Sequence, residues 1–164
     1  METALRLVMN WPGAAVLQNL HPLIVHYPIA MLTSATVVYL AAAIARRDRW
    51  AWLALWLLAF GALGATAAVW SGLRAGDAVM VAPEVRENIL EYHEYLMITA
   101  WVLSLLALVW GMAGRPLPRR GGIGFLALLL IMSAVLARGA DYGGWMVYGY
   151  NAGGSLPQPI EFSR

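Results

Sequence analysis

Ala43-Ile44-Ala45-Arg46-Arg47-Asp48-Arg49-Trp50-Ala51-Trp52 sets a short charged break between two long apolar runs. The run before it extends from Pro22 to Ala45, and the run after it from Trp50 to Leu73. A helix crosses a bilayer with about 20 apolar residues, so each run is long enough to span. A connection this short returns the second helix beside the first. The rest of the chain repeats the pattern: His93 to Ala113 and Gly122 to Ala137 are apolar, joined by Arg115-Pro116-Leu117-Pro118-Arg119-Arg120. The expected fold is an all-α membrane protein, an up-down-up-down four-transmembrane-helix bundle with both termini outside. In such a bundle spans one and three run parallel and stand diagonally across the axis.

Composition agrees. The chain has 164 residues, of which 61% are hydrophobic and 12% charged, and its mean hydropathy is +0.65. Those values place it in the membrane class, with room for one domain. The absence of cysteine excludes disulfides, thiolate-held iron–sulfur clusters and covalent c-type haem. A net charge of +2, scattered along the chain, gives no footprint for a nucleic-acid partner.

The two Arg-rich connections lie on one side, and the positive-inside rule makes that side cytoplasmic. The loop from Arg74 to Tyr92 and both termini then face outward, which in a bacterial inner membrane means the periplasm. Asp77, Glu84, Glu87, Glu91, Glu94, Asp141 and Glu161 follow the same outward side. Residues 1–21 are expected to form an interfacial segment, 22–140 the bundle, and 141–164 a lid and an extended tail. Pro83 with acids just after it is a helix-start signal, predicting a short surface helix that runs into the third span. Five glycines among the aromatics of Asp141–Gly154 predict an irregular lid over the outer mouth.

The chain has three histidines, all at the predicted outer end. His21 and His26 open the first span and His93 opens the third. Residues five apart on a helix differ by about 140°, so His21 and His26 cannot share a face. His26 continues into Ala30, Thr33 and Val37, and His93 into Met97, Ala100 and Ser104, both narrow faces of modest side chains. On this reading His26 and His93 are a diagonal pair at matched depth, the arrangement that a bis-histidine haem b requires. His21, just before Pro22, is expected to cap the helix, hold a propionate or serve as an alternative ligand.

Arg74 and Arg138, at the outer ends of spans two and four, are placed to bind haem propionates. The plainer reading pairs them with Asp77 and Asp141. Glu91 and Glu94 flank His93, and His26, His93, His21 and Glu94 could make a mononuclear copper or zinc site; the plainer reading of the two glutamates is a solvated face. Gly61, Gly64, Ala65, Ala68, Ser71 and Gly72 form a small-residue stripe on the second span, which in membranes most often means close helix packing.

His21-Pro22-Leu23-Ile24-Val25-His26-Tyr27-Pro28, the mid-chain His93 and Gly143-Gly144-Trp145-Met146-Val147-Tyr148 resemble a widespread bacterial family of small four-span membrane proteins of unknown function. Its members open on HPxxVHFPI and close on GGxLVYxHG. The resemblance implies the four-helix fold, an outward histidine site and association with electron-transfer proteins. This chain has Tyr150 where the family tends to have a histidine.

The expected function is that of a membrane-anchored b-type electron-transfer protein, a subunit of a larger respiratory or photosynthetic complex rather than a stand-alone enzyme. It would exchange electrons with a quinone or a periplasmic electron carrier. A cofactor-free accessory subunit that stabilises a membrane complex is the competing expectation.

Overall fold

The computed structural model describes residues 20–79, 81–114 and 122–152. It contains four helices long and apolar enough to cross a membrane: α1 (His21–Ala45), α2 (Asp48–Ala78), α3 (Pro83–Gly114) and α4 (Ile123–Tyr150). No strand occurs among the described residues. α1 packs against α2 and α4, and α3 against α2 and α4, so the expected diagonal relation of spans one and three holds. The interfacial segment expected over residues 1–21 lies, up to position 19, outside the described residues.

Each helix boundary has a local cause. α1 begins at His21 with Leu20 as its N-cap and Pro22 in the first turn, where a missing N–H costs nothing. His21 is therefore the first helical residue rather than the cap. The helix is interrupted at Val25, because Pro28 cannot donate to the Ile24 carbonyl one turn back. α1 closes at Arg46, whose φ of 51° is left-handed, and α2 starts at Asp48, two residues earlier than the apolar run indicates.

The short helix expected before the third span is present and continuous with it. Pro83–Val85 is followed by a π turn over Arg86–Leu90 and then by Glu91–Gly114. The π turn places Ile89 and Leu90 side by side in the interior, where they pack with Val85 and Met146.

Asp141–Tyr150 does not form an irregular lid. α4 runs unbroken from Ile123 to Tyr150 and ends at Asn151, with φ of 52° and a hydrogen bond from the Ala152 amide to the Met146 carbonyl. A glycine in a helix interior costs about 1 kcal/mol relative to alanine. Gly143 offsets its cost by letting His93 of α3 sit against the backbone, and Met146 locks the extension onto the start of α3. The tail from Gly153 onward lies outside the described residues.

The core runs along the axis. Pro28, Leu32, Ala35, Thr36, Tyr39 and Ala42 form the inward stripe of α1. Tyr39 meets Phe125 edge-on at 4.9 Å between ring centroids, and Phe125 in turn meets Trp110 at 5.8 Å. Thr36 and Ser133 join α1 to α4 through a 2.8 Å hydroxyl contact, and Trp101 donates its indole N–H to Thr66 to join α3 to α2. Leu63, Ile44, Val109 and Ile131 face outward, as expected where the solvent is hydrocarbon.

Candidate histidine site

α1 and α3 start, and α2 and α4 end, at the same pole of the bundle, and the histidines sit there. His21 and His93 are half-buried, whereas His26 is exposed. The difference follows from the rotation between positions 21 and 26. The stripe of His26, Ala30 and Val37 is the outward face of α1, and Thr33 lies at its margin. The inward stripe is offset to Leu32, Ala35 and Tyr39. The α3 stripe faces inward as expected, with Ala100 and Ser104 fully buried. His21 is held against α2 through Ser71 and His93 against α4 through Gly139, whereas His26 lies on the outward face of α1.

The two imidazoles are seated in matching ways. His93 Nδ1–H donates to the Gly139 carbonyl at 2.8 Å. A carbonyl only accepts, so Nδ1 carries a proton. His21 Nδ1 lies 3.0 Å from Ser71 Oγ. The Ser71 hydroxyl donates to the Ala68 carbonyl at 3.0 Å, which leaves its oxygen placed to accept from His21. Each ring also rests on a glycine of the following helix. A Cβ on Gly72 would lie 2.8 Å from His21 Cε1, and one on Gly143 would lie 2.9 Å from His93 Cε1. Each helical hairpin therefore contributes one histidine, one Nδ1–H acceptor and one glycine seat.

The small-residue stripe on α2 is packing surface against α1. Gly61 faces Leu32, Gly64 faces Tyr27 and Pro28, and Gly72 faces His21. Sequence reasoning recognised the stripe but not that one of its members seats a histidine.

The remaining candidates are dispersed. The Arg138 guanidinium pairs with Asp141 at 2.5 Å and lies over the Tyr142 ring, which is the plainer of its two expected roles. The Arg74 guanidinium lies 3.7 Å from the centre of the Trp70 ring and lines a groove of about 340 Å³ between α1 and α2 that also includes His21. Glu91 is exposed. The Glu94 carboxylate turns toward Gly76 of α2, near Asp77 and Arg86. No group of three or more His, Asp or Glu gathered for a metal ion occurs among the described residues.

Two features escaped the sequence. Arg86 donates to the carbonyls of Gly76 at 3.2 Å and Val79 at 3.0 Å, closing the end of α2. Tyr92, Tyr142, Trp145 and Tyr150 form a chain of ring contacts at this pole, the first two stacked at 6.0 Å.

Fold and site define a four-helix membrane bundle with two half-buried histidines, one from each hairpin, at a single pole. The chain belongs to the family described as "Predicted membrane protein (DUF2231)", whose model matches residues 17–155. No curated protein and no solved structure matches it.

Proposed function

We propose that this protein is a membrane-anchored b-type electron-transfer subunit, in which His21 and His93 would hold one haem. The observation that carries the reading is the matching seat of the two rings, each engaged at Nδ1 by the following helix, His21 by Ser71 and His93 by the Gly139 carbonyl. Metal-bound histidines generally donate their other ring N–H to a carbonyl or similar group, which fixes ring orientation. The donor set fits the group: two imidazole nitrogens suffice for a bis-histidine haem. A copper or zinc centre draws on three or four protein ligands, and Glu94 and His26 are not directed to join the pair.

When bound, the haem would supply one-electron exchange at its iron. The chain's own residues orient both imidazoles: Ser71 and Gly139 engage Nδ1, and Gly72 and Gly143 fix how deeply the rings sit. The Arg46–Arg49 and Arg115–Arg120 connections support a cytoplasmic location for the opposite pole. The histidine pole then faces the periplasm, within reach of a quinone or a periplasmic carrier.

The test is a reduced-minus-oxidised visible spectrum of detergent-purified protein, with a pyridine haemochrome assay on the same sample. His21→Ala and His93→Ala should each abolish the alpha band, and His26→Ala should retain it. A folded but colourless protein, expressed with ample haem, would overturn the proposal. Loss of the band in His26→Ala with retention in His21→Ala would overturn the assigned pair.

A further inference from the structure

We infer that the groove between α1 and α2 at the histidine pole binds the phosphate-type head of an anionic amphiphile, with Arg74 as its charge partner. The inference does not rest on the haem reading.

Arg74 lies on α2 and Arg138 on α4, and each has an aspartate three residues on, Asp77 and Asp141. Their outcomes differ. Arg138 closes onto Asp141, whereas Asp77 lies near Glu94 on the α3 side. Arg74 instead lies over Trp70, and no ion pair of Arg74 occurs among the described residues. Stacking fixes the plane of a guanidinium while leaving its N–H edge available, and that edge binds phosphate or carboxylate oxygens with two parallel hydrogen bonds.

The groove around this cation has two kinds of wall. Leu20, Ile24, Ala78 and Val79 are apolar, while Ser71 and Arg74 are polar or charged. Its volume of about 340 Å³ greatly exceeds the roughly 30 Å³ that one water occupies in the liquid. That is room for a headgroup and the start of its chain, and apolar walls suit a chain better than a bare ion.

Depth agrees. The 31 residues of α2 make a rod of about 46 Å at about 1.5 Å per residue, against about 30 Å of hydrocarbon. A centred helix overshoots by about 8 Å, or roughly five residues, at each end. Arg74, four residues before the last residue of α2, sits at the boundary where lipid phosphates lie.

The experiment is thermal unfolding of the detergent-solubilised protein titrated with phosphatidylglycerol, phosphatidylcholine or inorganic phosphate. Phosphatidylglycerol should raise the melting temperature by several degrees, the shift growing with the logarithm of lipid concentration once the site fills. The shift should disappear in Arg74→Gln and persist in Arg138→Gln. Inorganic phosphate giving the same Arg74-dependent shift would support the anion site and make a free anion its source. An equal shift from phosphatidylcholine, or an undiminished shift in Arg74→Gln, would overturn the inference. So would haem loss in Arg74→Gln from a haem-bearing protein that ignores phosphatidylglycerol, since Arg74 would then be holding a propionate.

Discussion

The His93 ring hangs from Gly139 by a 2.8 Å hydrogen bond and rests on Gly143, one turn further along α4. These two contacts fix both the direction and the depth of the imidazole, and they make neighbouring glycines unequal. A methyl on Gly143 would lie 2.9 Å from His93 Cε1 and 3.2 Å from Nδ1, whereas one on Gly144 would meet nothing within 4 Å. Gly143→Ala therefore has to displace the ring, at a cost of about 1–3 kcal/mol for overpacking. Gly144→Ala should stabilise by about 0.5–1 kcal/mol by removing a flexible residue from a helix. Thermal unfolding in detergent should rank Gly144→Ala above the parent and Gly143→Ala below it. Equal melting of the two variants would mean that Gly143 does not seat His93.

Arg86 supports a second prediction, about how the hairpins are joined. Its guanidinium reaches the Gly76 and Val79 carbonyls, groups that the end of α2 leaves without intrahelical donors. Arg86 also belongs to the π turn that leads into His93. Removing it detaches the end of α2 from the start of α3. Arg86→Ala should cost about 1.5–3 kcal/mol, the range for hydrogen bonds from a charged donor. Hydrogen exchange should accelerate over residues 74–79 and 86–90, while the middle of α1 remains protected. Uniform acceleration across the bundle would instead indicate global destabilisation.

The four spans were legible in the sequence because a bilayer demands long apolar runs, and the charges of Arg46–Arg49 mark where the first pair turns. The start of α3 was legible from Pro83, and its inward stripe from Met97, Ala100 and Ser104. The corresponding choice on α1 was not. Ala30, Thr33 and Val37 look as suitable for an interior as Leu32, Ala35 and Tyr39, because lipid and bundle interior are both apolar and periodicity loses its contrast. That His26 falls on the outward face and His21 against α2 was hidden for that reason. The stretch from Asp141 to Tyr150 misled for another. Gly143 reads as a helix breaker in sequence, yet in the bundle it is the space that lets His93 approach α4. Such a glycine is recognisable only once its neighbour is known.

A third prediction concerns the seam between α1 and α4, which closes the ring of helices. Thr36 is 5% exposed and lies 2.8 Å from Ser133, with the Leu129 carbonyl at 3.3 Å. In a bilayer the apolar side chains gain little by leaving lipid for protein, so packing and polar contacts between helices weigh more than in water. Individual contacts nevertheless remain modest, averaging about 0.6 kcal/mol and reaching about 1.7 kcal/mol. Thr36→Val keeps the shape and deletes the hydroxyl, and Ser133→Ala removes its partner. Each should destabilise by an amount within that range, and the double variant by less than the sum of the two. The reason is that either substitution already breaks the shared contact, so the second has less to remove. Unfolding in mixed detergent would measure the coupling. Strict additivity would mean that the two hydroxyls do not stabilise each other, leaving the seam to Leu32 and the Tyr39–Phe125 contact.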